Sequence, residues 1–149
     1  MNLKFETINF EIIENIAIIR LNRPNSYNSL NAKMAKELLE ISYECDTNKK
    51  IRAIILTGEG DRAFCAGGDL KSFHETGNVA KHLKMVTHDL HGAITKFSRM
   101  NSPLIVAVNG VAAGAGLSFV GFADLAIAKS SATFVSAYTK AGLTPDGSS

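Results

Sequence analysis

Apolar and polar positions follow two rhythms along this chain, one with the short period of strands and one with the longer period of helices. Between Phe5 and Asn22, the apolar residues Phe10, Ile12 and Ile13 stop at Glu14-Asn15 and resume at Ile16-Ala17-Ile18-Ile19, which predicts a hairpin. Asn22-Arg23-Pro24-Asn25-Ser26 then reads as a loop. Met34, Leu38, Ile41 and Cys45 recur at helical spacing behind Asn31, a residue suited to capping a helix. Ala53-Ile54-Ile55-Leu56-Thr57 predicts a buried strand, and Gly58 to Gly68 a glycine-rich loop. A long amphipathic helix is expected from about Val79 to Met100, with Val79, Leu83, Val86, Leu90, Ile94 and Phe97 on one face.

Pro103 ends that pattern, and Leu104-Ile105-Val106-Ala107-Val108 predicts a second buried strand. Asn109-Gly110 turns the chain into a small-residue segment, Ala112 to Phe122. Strands are expected again at Asp124–Ala128 and Thr133–Val135, then a short helix at Ala137–Ala141 leading into Gly142-Leu143-Thr144-Pro145-Asp146. Strands alternating with helices predict an α/β class. With 149 residues the chain fits one domain, taken as residues 1–149.

Composition narrows the function classes. Hydrophobic residues make up 46% and charged residues 20%, ordinary for a globular protein, and the net charge of +2 is spread along the chain. No basic block with interleaved aromatics points to nucleic acid. No stretch approaches the length of a membrane span, and the acid-containing start does not read as a signal peptide. Cys45 and Cys65 make neither a disulfide framework nor a zinc motif, so a reducing, cytoplasmic compartment is the expectation.

Several candidate motifs dissolve on inspection. Gly58-Glu59-Gly60-Asp61-Arg62-Ala63 fits GxGxxA, but no second strand with its acid arrives at the distance a dinucleotide site needs. Ser118, in Gly116-Leu117-Ser118-Phe119-Val120-Gly121, has one residue too many for a nucleophile elbow and reads as a small polar residue in a packed helix. His88 and His91 are three apart on the long helix, off its apolar face, and no carboxylate or cysteine partner can be named for them. They are expected to be solvated, and no metal site is expected. Cys65 has no assignable base and reads as a buried small residue.

Two stretches carry more. Ala66-Gly67-Gly68-Asp69-Leu70 lies on the glycine loop, and Asn109-Gly110-Val111-Ala112-Ala113-Gly114-Ala115-Gly116 joins a strand to a small-residue helix. Glycine and alanine let a ligand approach the backbone, and N–H groups from two loops converging on one oxygen make an oxyanion hole.

With Leu21-Asn22-Arg23-Pro24 before them, Phe64-Cys65 leading into the first, and Gly142-Leu143-Thr144-Pro145-Asp146 after, these stretches resemble the crotonase (enoyl-CoA hydratase/isomerase) family over essentially the whole chain. The resemblance implies a spiral of ββα units and an acyl-coenzyme A substrate, with coenzyme A as its handle and no separate cofactor. It places the oxyanion donors at the N–H groups of Ala66 and Ala115. Gly67, Gly68, Asp69, Leu70, Gly114 and Tyr138 fall in the substrate site, with Arg23 as a phosphate contact. Phe73 and His74 are further candidates for the acyl pocket.

The resemblance also bears on the reaction. Ser118 and Tyr138 stand where the family's hydratases carry two glutamates, so water addition loses its bases. Asp146 matches the catalytic aspartate of phenylacetyl-CoA-type isomerases and of 4-chlorobenzoyl-CoA dehalogenases. It could act as base in the first and nucleophile in the second. Its surroundings resemble the isomerases more, and the expectation is an isomerase with Asp146 as the base. A hydratase of unusual design and a dehalogenase are the alternatives.

The family's relatives continue into helices that close the pocket and build a homotrimer or a dimer of trimers. The chain is therefore expected to lack the carboxy-terminal helices. A non-catalytic fragment, with the apolar faces of Leu104–Val108 and Leu117–Phe122 exposed, is the corresponding alternative.

Overall fold

The structure, a computed structural model, describes residues 4–147, apart from the side chain of His74. Its elements in chain order are β1 (Ile8–Ile13), β2 (Ile16–Leu21), α1 (Ala32–Thr47), β3 (Ala53–Gly58), β4 (Ala63–Cys65), α2 (Leu70–His74), α3 (Val79–Phe97), β5 (Leu104–Val108), β6 (Val111–Ala113), α4 (Ala115–Phe122), β7 (Leu125–Ala128) and β8 (Thr133–Val135). Short 3-10 turns at Pro24–Ser26 and Thr139–Ala141 complete the list. The second stands where a short helix was expected.

The hairpin forms because Glu14 and Asn15 both adopt positive φ, the twist that a two-residue connection between antiparallel strands requires. From β2 onward every pairing is parallel. The larger sheet runs β1-β2-β3-β5-β7 and the smaller β4-β6-β8. From β3 onward consecutive strands therefore alternate between the sheets, and each turn of the chain adds one strand to both. That is the expected spiral of ββα units.

On β3 and β5, Ile54, Leu56, Leu104, Val106 and Val108 are buried, while the alternate positions Ile55, Ile105 and Ala107 are half-buried, and β4 and α4 lie against the two strands. Ile54, Leu56, Leu104 and Val106 meet Met34, Leu38 and Ile41 of α1 and Val86, Leu90 and Phe97 of α3 in one core. Asn31 caps α1 by accepting from the Met34 N–H at 2.9 Å.

Four expectations need correction. The Gly58–Gly68 loop contains a strand, β4, and the small-residue segment is a strand, β6, followed by a helix. The long helix stops at Phe97, where the Ser98 N–H caps it, and α2 was not foreseen. Leu104–Val108 and Leu117–Phe122 are not exposed apolar faces: no residue of β5 is exposed, and of α4 only Gly121 is. Further on, the edge strands β7 and β8 do expose apolar residues, at Leu125, Ile127, Phe134 and Val135. Among the described residues no helix is long and apolar enough to cross a membrane.

Candidate active site

Strands β4 and β6 lie side by side and parallel, with Ala63 opposite Val111 and Cys65 opposite Ala112. Both reach their carboxyl ends at the same edge, and both leave through a glycine. Gly67 has φ of +96° and Gly114 φ of +50°, conformations open to glycine but strained for other residues. A Cβ on Gly67 would stand 3.0 Å from the Ala113 carbonyl, and one on Gly116 only 2.1 Å from the Cys65 carbonyl oxygen. The glycines thus let two loops touch backbone to backbone.

The glycine loop is pinned to Leu30, whose N–H donates to the Gly67 carbonyl at 2.7 Å and whose carbonyl accepts from the Asp69 N–H at 2.8 Å. On the other loop, the Gly114 carbonyl accepts from Leu117 and Ser118 and starts α4. The Ala115 N–H, the first of that helix, has no backbone acceptor among the described residues, as expected at a helix start. The Ala66 N–H differs, since it donates to the Tyr27 carbonyl at 3.1 Å. Tyr27 is held in place by its own positive φ and by Asn28, whose buried amide donates to the Glu59 and Ala63 carbonyls. The sequence carried no sign of this bond.

A cavity of about 120 Å³ opens over the junction of the two loops. Ala66, Gly67, Gly68, Gly114 and Ala115 form its backbone floor; Leu70, Phe73, Leu83, Val86, Leu90 and Leu143 form apolar walls; Tyr138 and Asp146 stand at one side. Among the described residues that line it, Asp146 is the only carboxylate. Of the proposed pocket residues, Phe73 and Tyr138 are present, while the His74 side chain lies outside the described residues.

Asp146 is held from two directions. Its carboxylate Oδ2 is 2.9 Å from His91 Nε2 on α3. Its main-chain carbonyl accepts from Ser118 Oγ at 2.9 Å, and Ser118 Oγ in turn is 2.7 Å from the Tyr138 hydroxyl. His91 is therefore not a purely solvated residue, and Asp146 is the carboxylate partner that the sequence could not name. Leu83, Thr87 and His91 follow one another at four-residue steps, and the first two line the cavity. That second stripe on the helix was the signal that could have found it. Ser118 is buried inside a packed helix, as expected, and His88 stays exposed.

Arg23 and Asp69 lie apart from this cavity. They form an ion pair at 2.8 Å, and the Arg23 guanidinium also donates to the Ser29 carbonyl at 2.6 Å. Asp69 caps α2 through the Ser72 N–H at 3.2 Å. Burial raises the Asp69 carboxyl, but the Arg23 hydrogen bond and charge and the Ser72 N–H outweigh it and hold it below the ordinary value. Both residues face a polar surface groove shared with Lys71 and Ser72. The Cys65 thiol is fully buried and pushed up to about 12 by desolvation, partly offset by the Gly67 N–H. Among the described residues no cluster of His, Cys, Asp or Glu could hold a metal ion.

The pattern of the enoyl-CoA hydratase/isomerase family matches residues 11–149. A Rhodobacter capsulatus protein described as a probable enoyl-CoA hydratase is 41% identical, over 97% of this chain and 54% of its own length. The 1,2-epoxyphenylacetyl-CoA isomerase of Escherichia coli is 37% identical over 95% of this chain and 54% of its own. Among solved structures, an enoyl-CoA hydratase/isomerase from Mycobacterium paratuberculosis superposes with a TM-score of 0.87 at 30% identity, over 96% of this chain and 57% of that one. The chain spans about half the length of the relatives it matches.

Proposed function

The chain belongs to the enoyl-CoA hydratase/isomerase family, and on that premise we propose that its site isomerises an acyl-coenzyme A thioester, with Asp146 as the proton-transfer base. The observation that carries this reading is one cavity bordered by Ala66, Ala115 and Asp146 together. An enolate needs donors on its oxygen and a base near the adjacent carbon, and nothing else.

The thioester carbonyl oxygen sits against the Ala115 N–H, the principal donor. The Ala66 N–H, already on the Tyr27 carbonyl, joins through a three-centre bond. Asp146 takes a proton from the carbon next to the carbonyl of a 3-enoyl thioester. The electron pair moves onto the carbonyl oxygen, and the proton returns two carbons further on, giving the conjugated 2-enoyl product. No water enters, and no second acid is required. Leu83, Val86 and Leu90 give the acyl group an apolar wall, and coenzyme A serves as its handle with no separate cofactor. Assembly as a homotrimer or a dimer of trimers belongs to the same reading.

Asp146→Asn tests it. The variant should lose turnover of a 3-enoyl-CoA by at least about 100-fold, a base's usual contribution, while thioester binding changes little. Wild-type turnover in Asp146→Asn would remove the assignment.

The His91 contact favours one second reading. A carboxylate held by an imidazole could instead attack an aryl carbon of a halogenated benzoyl-CoA. Halide would leave, and His91 would deprotonate the water that cleaves the resulting ester. Halide release from 4-chlorobenzoyl-CoA, without isomerisation of enoyl-CoA, would favour that reading over ours.

A further inference from the structure

Resting on the assignment of Asp146 as base, we propose that Ser118 and Tyr138 are its positioning pair. A buried hydroxyl relay clamps the main chain at Asp146 onto α4, so that one helix sets both the oxyanion donor and the base.

The segment that carries Asp146 cannot position it alone. After Gly142, with φ of +69°, the chain runs to Gly147 without helix or strand. Its start is tied down by the Leu143 N–H on the Tyr138 carbonyl at 3.0 Å. Its far end crosses directly over Ser118: a Cβ on Gly147 would lie 3.3 Å from Ser118 Cβ and 3.2 Å from Ile94 Cδ1. Glycine at that position allows the approach, and the Ser118 hydroxyl uses it to reach the Asp146 carbonyl.

Counting protons gives the relay a direction. Ser118 has one hydroxyl hydrogen and two close oxygens, Tyr138 Oη at 2.7 Å and the Asp146 carbonyl at 2.9 Å. A carbonyl can only accept, so Ser118 donates to Asp146 and Tyr138 donates to Ser118. The reverse order would leave Tyr138 to bridge 3.4 Å to the same carbonyl, a poorer bond. Ser118 is 1% exposed and Tyr138 7%, so neither hydroxyl has bulk water as a ready substitute.

The consequence is geometric. Ala115, whose N–H opens α4, and Ser118 are one helical turn apart on one rigid element. The distance from oxyanion donor to base is then set within a single turn of helix, while His91 orients the carboxylate from α3.

Ser118→Ala and Tyr138→Phe, each removing one hydroxyl, test the clamp in the full chain. Ser118→Ala should lower kcat by roughly 10- to 100-fold with KM within about threefold, because binding surfaces are kept and only the base drifts. Tyr138→Phe should cost less, since the Ser118 bond to Asp146 survives it. The double variant should resemble Ser118→Ala. The second measurement needs no turnover: the His91 imidazole nitrogen resonances, read by NMR, should move toward those of an unpaired imidazole in Ser118→Ala.

Folded Ser118→Ala with unchanged kcat and unchanged His91 resonances would overturn the proposal. So would a Tyr138→Phe variant that loses more than Ser118→Ala. If Asp146→Asn proves fully active, or the wild-type chain turns over no enoyl-CoA, the base assignment falls and the His91 resonances alone decide the clamp. Their movement upholds it, and their constancy ends it.

Discussion

Adding one methyl group to Gly116 is a direct probe of the junction between the two glycine loops. The new Cβ would stand 2.1 Å from the Cys65 carbonyl oxygen and 3.0 Å from both the Cys65 carbonyl carbon and its Cβ. Relaxed carbon–oxygen contacts lie at about 3.3–3.6 Å, so the end of β4 and the start of α4 must separate by more than about 1 Å. The atoms in the way are backbone, held by the Cys65–Ala112 pairing and by the Leu30 bridge, and no side chain can swing aside. Overpacking of this kind costs about 1–3 kcal/mol. Alanine's better helix propensity returns at most about 1 kcal/mol. Gly116→Ala should therefore lower the urea midpoint, and because Ala66 and Ala115 flank the junction, enoyl-CoA turnover should fall by about 100-fold. Gly77→Ala is the control, since a Cβ there meets nothing within 4 Å and the effect should stay within about 0.5 kcal/mol. A Gly116→Ala protein with a wild-type midpoint and turnover would refute the close approach of the loops, and with it the proposed oxyanion site.

The remaining predictions concern titration. The folded-state Asp69 carboxyl is held below its ordinary value, so its contribution is present above the unfolded carboxylate value of about 3.9 and disappears as pH falls through the lower folded value. Asp69→Asn should thus be less stable than wild type at pH 7, with the gap closing below about pH 4 in urea unfolding. A gap that stays constant with pH would contradict the Arg23–Asp69 account. Burial pushes the thiols of Cys45 and Cys65 up to about 12, which leaves little thiolate at pH 8. Labelling by a thiol reagent should be at least about 100-fold slower in the native protein than in urea, and rapid native labelling of Cys65 would show that the β4 end is open.

The sequence made the parts of the fold with strong local signals legible. Runs of Ile, Leu and Val over β3 and β5 exceed any single-turn pattern, and Asn31 marks the start of α1 by a bond the structure contains. Strands β4 and β6 escaped because each has three residues, Ala63–Cys65 and Val111–Ala113, inside glycine-rich stretches with no alternation to read. They exist because Ala63 and Val111, distant in the chain, find each other. In the candidate site, Ala66, Ala115 and Asp146 were accessible through motif and resemblance, whereas His91 was not. The helical face counted from the sequence was the one toward the core, through Val86, Leu90, Ile94 and Phe97. The stripe that reaches the cavity is offset from it and mixes Leu83 with Thr87 and His91. Apolar patterning alone cannot reveal such a face.

The two halves of the proposed site, the oxyanion donors and the base, are placed by different routes. Parallel strands in one sheet place their carboxyl ends on one edge, so N–H groups following β4 and β6 converge wherever the exits are tight. That half follows from topology and needs only glycine where the loops touch. Asp146 has no such guarantee. It follows β8 by ten residues of mostly irregular chain, and no strand pairing fixes its height above the proposed donors. Its place therefore depends on side chains from elements already fixed, Ser118 of α4 and His91 of α3. Backbone geometry can supply an oxyanion donor without regard to side-chain identity, so Ala115 can stand there. A base on an irregular segment needs particular side chains beneath it. Substitutions at Ser118 and His91 should accordingly move turnover more than substitutions of the donor residues that keep their N–H groups.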